Sequence, residues 1–193
     1  MITHIQGKLV EKNPTDVVID VNGVGYHLNI SLHTFSQIPD REDLKLFAHL
    51  IVREDSHTLY GFSSVAEREI FKLLLSVSGI GANTARMMLS SLSPHEVKEG
   101  IAHGNVALIQ SVKGIGAKTA ARVILDLKDK VLKVYDIDEV SINKGNTHKD
   151  EALSALEVLG FAKKQSERVV DKIVSQQREA TAETIIKEAL KNL

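Results

Sequence analysis

The 193-residue sequence contains no cysteine, no tryptophan and only three prolines. Without cysteine, the chain cannot form a disulfide scaffold, a thiolate zinc site or a cysteine nucleophile. No apolar run approaches the ~18 residues that a membrane-spanning helix needs, and the amino end lacks the pattern of a signal peptide. The formal net charge of −1 excludes a strongly basic coat that would bind any polyanion. These absences predict a soluble cytoplasmic protein that does not enter a membrane.

Hydrophobic residues nevertheless make up 43% of the chain, and their spacing divides it into segments. Residues 1–63 alternate in polarity or form short apolar runs, which predicts about five strands. We expect these strands at residues 2–10, 15–21, 24–31, 44–52 and 58–62. Because five short strands cannot bury one face of a flat sheet, the segment is predicted to close into a small OB-like β-barrel.

After Phe62 the apolar residues follow a helical period. Ser64 can cap a first helix, and Ser93-Pro94-His95-Glu96 has the pattern of a capping box with proline at the first helical position. Residues 64–135 are therefore predicted to form a helical domain.

A segment with little periodicity follows at residues 136–148 and is predicted to be a flexible linker. The helical period returns over residues 149–193, with breaks at Gly160 and near Gln177, which predicts three short helices. Leu153, Leu156, Leu159 and Phe161 are expected in the core of this last domain first, and on a partner surface second. The chain is thus predicted to be an α+β protein of several domains.

The helical segment contains an internal repeat. Residues 71–92 align with residues 106–127 at an offset of 35, with 10 of 22 positions identical. Each copy reads helix, Gly-Ile-Gly, helix. The glycines are Gly79 and Gly81 in the first copy and Gly114 and Gly116 in the second. We expect them to supply positive φ, while Ile80 or Ile115 fills the space between the two helices.

Such a turn presents the free N–H groups of the helix that follows it, and these can bind a phosphate without reading any base. Residues 65–136 carry a net charge of +3, whereas the segments on either side are net negative. Lys118 and Arg122 lie one helical turn apart after the second Gly-Ile-Gly. Asn83 occupies the position of Lys118 in the first copy, where Arg86 is the nearby cation. A helix–hairpin–helix turn without a ligand is the alternative interpretation.

Other chemistries lack a matching pattern. Gly114 to Thr119 differs from a P-loop because Ala117 separates the glycine from Lys-Thr, so no nucleotide hydrolysis is expected. The eight histidines are scattered, and no metal site is expected.

Glu54 and Asp55 follow an apolar strand at a predicted hairpin tip. They form either an ordinary polar turn or a carboxylate pair that repels DNA phosphates.

Taken together, these motifs resemble the RuvA family of bacterial Holliday junction branch migration proteins. The resemblance rests on VNGVGY at 21–26, VREDSHTLYGF at 52–62, the paired GIG turns, GIGAKTAARVILDLKDK at 114–130 and EALSALEVLGF at 151–161. It covers all three segments in order. It implies an OB-fold domain, a tandem helix–hairpin–helix domain and a flexibly tethered three-helix domain.

The resemblance also implies a function in recombination, DNA repair and the SOS response to DNA damage. Homotetramers, or octamers on DNA, would hold a four-way junction open and square. The implied DNA-binding residues are Gly79, Gly81, Ala82, Asn83, Gly114, Gly116, Lys118 and Arg122. Glu54 and Asp55 would form the acidic pin near the junction centre. Residues 149–193 would bind the hexameric ATPase RuvB, and the resolvase RuvC would be a further partner. Such a subunit is not itself an enzyme and needs no cofactor or metal.

Two other functions are compatible with the sequence. A structure-specific nuclease would use the same hairpins and hold magnesium with Glu54 and Asp55. A structural hairpin module would bind linear duplex as tightly as a four-way junction.

Overall fold

The computed structural model describes residues 2–39, 43–132, 148–177 and 180–193. The chain divides into two compact units, Met1–Asp138 and Glu139–Leu193. Of the segment predicted to be a linker, residues 136–147 lie outside the described residues, and His148 begins a helix.

The first unit begins with five strands that close into a barrel in the order β1-β2-β3-β5-β4. The strands are β1 (His4–Lys12), β2 (Asp16–Val21), β3 (Val24–Ile30), β4 (Asp43–Val52) and β5 (His57–Phe62). Strands β3 and β5 pair in parallel, and the antiparallel pairing of β1 with β4 closes the barrel. This topology confirms the predicted OB-like barrel.

The polarity pattern of the strands accounts for the barrel core. Val17 and Ile19 of β2 point inward and are fully buried, as their alternation predicts. Helix α1 (Leu32–Gln37) follows β3 and was not predicted, because six residues are too few to show a helical period. Ser31, predicted as the end of β3, instead caps α1 and accepts the N–H of Thr34 through its hydroxyl at 2.9 Å.

The helices of the first unit bear out the capping signals. They are α2 (Val65–Leu75), α3 (Ala82–Ser91), α4 (Pro94–Ala102), α5 (Val106–Gln110) and α6 (Ala117–Val131). Ser64 caps α2, and Ser93 with Glu96 forms the predicted capping box at the start of α4. The Ser93 backbone N–H, followed by its hydroxyl, holds the pKa of Glu96 below its usual value.

The barrel interior and the helices of this unit form two separate hydrophobic cores, and two aromatic residues of β5 belong to the core of the helices. The Phe71 ring of α2 lies 5.0 Å from the ring of Tyr60 and 4.9 Å from that of Phe62, measured between centroids. Both partners belong to β5, so the last strand of the barrel packs directly on the first long helix. This packing orients the helical part relative to the barrel.

The second unit contains α7 (His148–Val158), α8 (Lys163–Gln176) and α9 (Ala182–Asn192). The predicted breaks are confirmed, and Gly160 has a φ of +96°. Leu156 is buried, and Leu153 and Phe161 pack against the same core. Leu159 is 58% exposed, so its predicted core position is wrong, because it follows the end of α7 in the turn before Gly160. Among the described residues, no helix is long and apolar enough to cross a membrane.

Candidate nucleic-acid interface

The two Gly-Ile-Gly turns adopt the same backbone conformation. Gly79 has a φ of +93° and Gly114 a φ of +90°, a region that favours glycine. The N–H of Ile80 donates to the carbonyl of Val77 at 3.0 Å, and the corresponding bond of Ile115 measures 3.1 Å. Both isoleucine side chains are buried in the helical core, as predicted. The first glycine of each pair therefore reverses the chain while the isoleucine anchors the turn.

The second glycine of each pair has a different role. Gly81 has a φ of −91° and Gly116 a φ of −81°, so the prediction of positive φ is wrong for these two. They are the N-caps of α3 and α6, and an N-cap residue has an extended backbone. Among the described residues, no side chain caps either helix, and none lies within 4 Å of a Cβ built on these glycines. We call these two helix starts the open N-termini.

Open N-termini suit anions, because the first N–H groups of a helix have no partner within it and the helix dipole favours negative charge there. Ala82 and Asn83 start α3. The side chain of Ala82 is buried, so this residue offers only its backbone to a ligand, whereas the side chain of Asn83 is exposed. Lys118 in the first turn of α6 is also exposed. The second turn therefore combines N–H groups with a cation, and the first relies on N–H groups and an amide.

Two arginines that the sequence places near the turns have protein partners. Nη1 of Arg122 donates to the carbonyl of Ser78 at 3.3 Å, which ties α6 to the start of the first turn. Nη1 of Arg86 donates to the carbonyl of Thr15 at 3.0 Å and to Oδ1 of Asn29 at 3.1 Å. Arg86 thus connects α3 to the barrel, whereas Arg122 is exposed and brings the two turns together.

The carboxylate pair lies at the tip of the β4–β5 hairpin, where the sequence predicts it. The N–H of Arg53 donates to the carbonyl of Ser56 at 2.8 Å, which closes a tight turn. Glu54 and Asp55 between them are exposed. Their two negative charges therefore face solvent at the end of a projecting hairpin.

A polar cavity of about 390 Å³, which the sequence pattern does not predict, lies beside this hairpin. It is lined by Arg53, Ser56 and Thr58 from the hairpin, and by Gly81, Asn83 and Thr84 from the first turn and α3, among others. The barrel and the first open N-terminus therefore face one space. Arg53, a cation directly before the carboxylate pair, is the residue from which the sequence could have indicated a polar site here. Within the part of the chain that the structure describes, no three His, Asp or Glu residues cluster as a metal site would require.

Comparison with known proteins places this arrangement in a family. Family models match in order: RuvA N terminal domain at residues 1–61, SAM-like Helix-hairpin-helix tandem at 71–129, and RuvA, C-terminal domain at 147–193. A relative from Flavobacterium psychrophilum, named Holliday junction branch migration complex subunit RuvA, is 66% identical over 193 residues, 100% of both chains. The chain belongs to the RuvA family.

Other RuvA relatives agree with this assignment over the whole length. The RuvA of Christiangramia forsetii is 65% identical to this chain over 193 residues, and the alignment covers 100% of both chains. The RuvA of Cytophaga hutchinsonii is 49% identical to this chain over 197 residues, and the alignment covers 99% of both chains. The RuvA family models also confirm the predicted fold, with an amino-terminal OB barrel, central tandem hairpins and a helical carboxy-terminal domain.

Proposed function

We propose that this chain is a non-catalytic Holliday junction branch migration subunit, which holds four-way junction DNA open and square. The observation that carries the proposal is the pair of open N-termini in one unit, the first of which lines the same cavity as the hairpin with the acidic tip. Membership of the RuvA family supports it, since the relatives are named as subunits of the branch migration complex. In this proposal, residues 1–63 form the barrel domain, 64–135 the DNA-binding domain and 149–193 the motor-binding domain.

The two turns would bind the sugar-phosphate backbone of one duplex arm. Phosphates would approach the turns at Gly79 to Asn83 and Gly114 to Lys118, where the first N–H groups of α3 and α6 are open and Lys118 adds a positive charge. Arg122 would keep the two turns at a fixed separation through Ser78. Because phosphates carry no sequence information, such binding is independent of base sequence. Four subunits in a homotetramer would each hold one arm, so that weak single contacts add up through multivalency.

Glu54 and Asp55 would lie near the centre of the junction as an acidic pin. Their exposed carboxylates would repel phosphates that approach the centre, whereas the hairpin turns attract phosphates along the arms. A strand that leaves one arm would therefore be guided into the next. This division of charge is what we expect of a protein that guides strands without cutting them.

The second unit would recruit the motor. Val158 is 85% and Leu159 58% exposed, which leaves adjacent apolar side chains uncovered at the end of α7. Exposed apolar surface of this kind is typical of protein–protein contacts. We assign it to a RuvB-type hexameric ATPase, which would supply the work of branch migration. A RuvC-type resolvase would be a further partner of the assembled junction.

A gel-shift titration tests this proposal. A four-way junction and linear duplexes with the same arm sequences are titrated over a salt series. We expect the junction to bind more tightly than the duplexes at every salt concentration. The logarithm of the affinity should fall linearly with the logarithm of the salt concentration, with a slope of ~−0.9 for each neutralised phosphate. Equal binding of junction and duplex would leave only a structural hairpin module. DNA cleavage in magnesium would instead indicate the nuclease.

Variants in α6 sharpen the titration. Lys118→Ala should weaken binding to every sequence alike and reduce the salt slope by about 1. Lys128→Ala is the matched control, because Lys128 is an exposed lysine in the last turn of the same helix. A loss of affinity confined to particular sequences would contradict backbone recognition.

A further inference from the structure

Glu67 is a fully buried carboxylate in the first turn of α2, with 0% of its surface exposed. Its Oε1 accepts the hydroxyl of Ser31 at 2.5 Å, and its Oε2 accepts the hydroxyl of Thr34 at 2.6 Å. Oε2 also accepts the backbone N–H and the hydroxyl of Ser63, both at 3.2 Å. Buried polar groups are stable only when paired, and this carboxylate has four donors.

These donors come from different parts of the first unit. Ser31 and Thr34 belong to the start of α1, which is inserted in the barrel between β3 and β4. Ser63 lies in the connection between β5 and α2. The carboxylate therefore joins the barrel, the connection and the first long helix at one buried point.

A second Ser-x-x-Glu sequence in this chain shows that a glutamate at this helix position does not have to reach a distant part of the fold. Glu96 occupies the same position in α4 and accepts the N–H and the hydroxyl of its own N-cap Ser93, both at 2.8 Å. At the start of α2, Ser64 accepts the N–H of Glu67 at 3.1 Å, but the carboxylate of Glu67 is directed to the barrel. Glu96 closes a local cap, whereas Glu67 makes a long-range contact.

Other polar contacts that the described residues make between barrel and helices are more accessible to water than Glu67. Arg68 donates to the carbonyl of Thr3 at 2.9 Å, and the N–H of Leu32 donates to the hydroxyl of Ser90 at 3.1 Å, both in exposed surroundings. Arg86 reaches the barrel at a half-buried position. Water can replace a lost partner at these sites. Glu67 is fully buried, so the loss of its carboxylate removes the acceptor of several donors that lie away from bulk water.

We infer that Glu67 is a positioning residue, which fixes the acidic hairpin tip of the barrel relative to the two Gly-Ile-Gly turns. The tip belongs to the barrel, and α2 leads directly into the first turn. A change in the angle between α1 and α2 would therefore move Glu54 and Asp55 relative to both open N-termini. The inference rests on the proposed function, because the distance from pin to hairpins matters only if both face the same junction.

A distance measurement between barrel and helices tests the inference. The chain has no cysteine, so Glu11→Cys and Asp126→Cys, at exposed positions in β1 and α6, give a unique pair of spin labels. Labelled chains are diluted into unlabelled ones so that only distances within a chain are recorded. We expect one narrow distance distribution in the parent and in the Glu96→Ala control. Glu67→Ala should broaden or shift it, and Glu67→Gln, which keeps an accepting oxygen, should restore most of it.

The functional readout is the ratio of junction to duplex affinity, measured below the unfolding temperature of each variant. Glu67→Ala should lower this ratio roughly tenfold, the equivalent of about 1.4 kcal/mol, with duplex affinity unchanged. If Glu67→Ala does not fold, Thr34→Val removes one buried donor at similar volume and should give a smaller change of the same kind.

Parental distances and a parental affinity ratio in the folded variants would overturn the inference. A parent without junction preference would overturn the proposed function instead, and the spin-label distances would still decide whether Glu67 fixes the barrel.

Discussion

The four glycines of the two turns are chemically identical but differ in what their positions require. Gly79→Ala forces a side chain into the left-handed region at a φ of +93°. We expect it to cost about 1–2 kcal/mol and to lower the melting temperature. Gly81→Ala meets no such strain, because φ is −91° and, among the described residues, nothing lies within 4 Å of the new Cβ. The melting temperature of this variant should stay close to that of the parent.

The variants Gly79→Ala and Gly81→Ala together distinguish an effect on folding from an effect on DNA binding. The Cβ of Gly81→Ala would stand in front of the open N-terminus of α3, so junction affinity should fall although the protein is fully folded. Thermal unfolding and a junction titration on both variants check this. Parental affinity of Gly81→Ala would show that phosphates do not approach the N-terminus of α3.

At the scale of elements, the β4–β5 hairpin is predicted to act through charge alone. Glu54→Gln combined with Asp55→Asn keeps the shape of the tip and removes both negative charges. Junction binding should be equal or tighter, because phosphate repulsion is lost, while the rate of motor-driven branch migration should change. Glu11→Gln removes an exposed carboxylate from β1 and serves as the control. Loss of junction binding in the double variant would mean that the tip is structural.

The end of α7 is predicted to contact the motor. Leu159→Asp places a charge on an exposed side chain, so the second unit should remain folded. Binding of a RuvB-type ATPase, measured by co-sedimentation, should be lost while junction affinity is retained. Leu125→Asp changes a leucine of α6 that is 83% exposed and should leave motor binding unchanged. Retained motor binding by Leu159→Asp would assign the contact to another surface.

At the scale of the whole molecule, the sequence predicted what depends on local pattern. The strand alternation, the capping serines and the repeated Gly-Ile-Gly are short-range signals, and they gave the barrel, the helices and the two turns. The sequence could not predict that Glu67 pairs with Ser31 or that Arg86 pairs with Thr15. The two members of each pair lie far apart in the chain and come together only in the folded protein. The cavity beside Arg53 was missed for the same reason.

The geometry of the bound junction decides whether the chain holds four DNA arms open and square. Donor and acceptor dyes are placed on the arm ends of a four-way junction in pairwise combinations, and energy transfer is recorded in magnesium. The free junction folds with its arms stacked in pairs, so transfer between neighbouring arms is unequal. With the protein bound, all neighbouring pairs should give one shared efficiency, as an open square requires. Unequal efficiencies at saturating protein would show that the bound junction is not an open square.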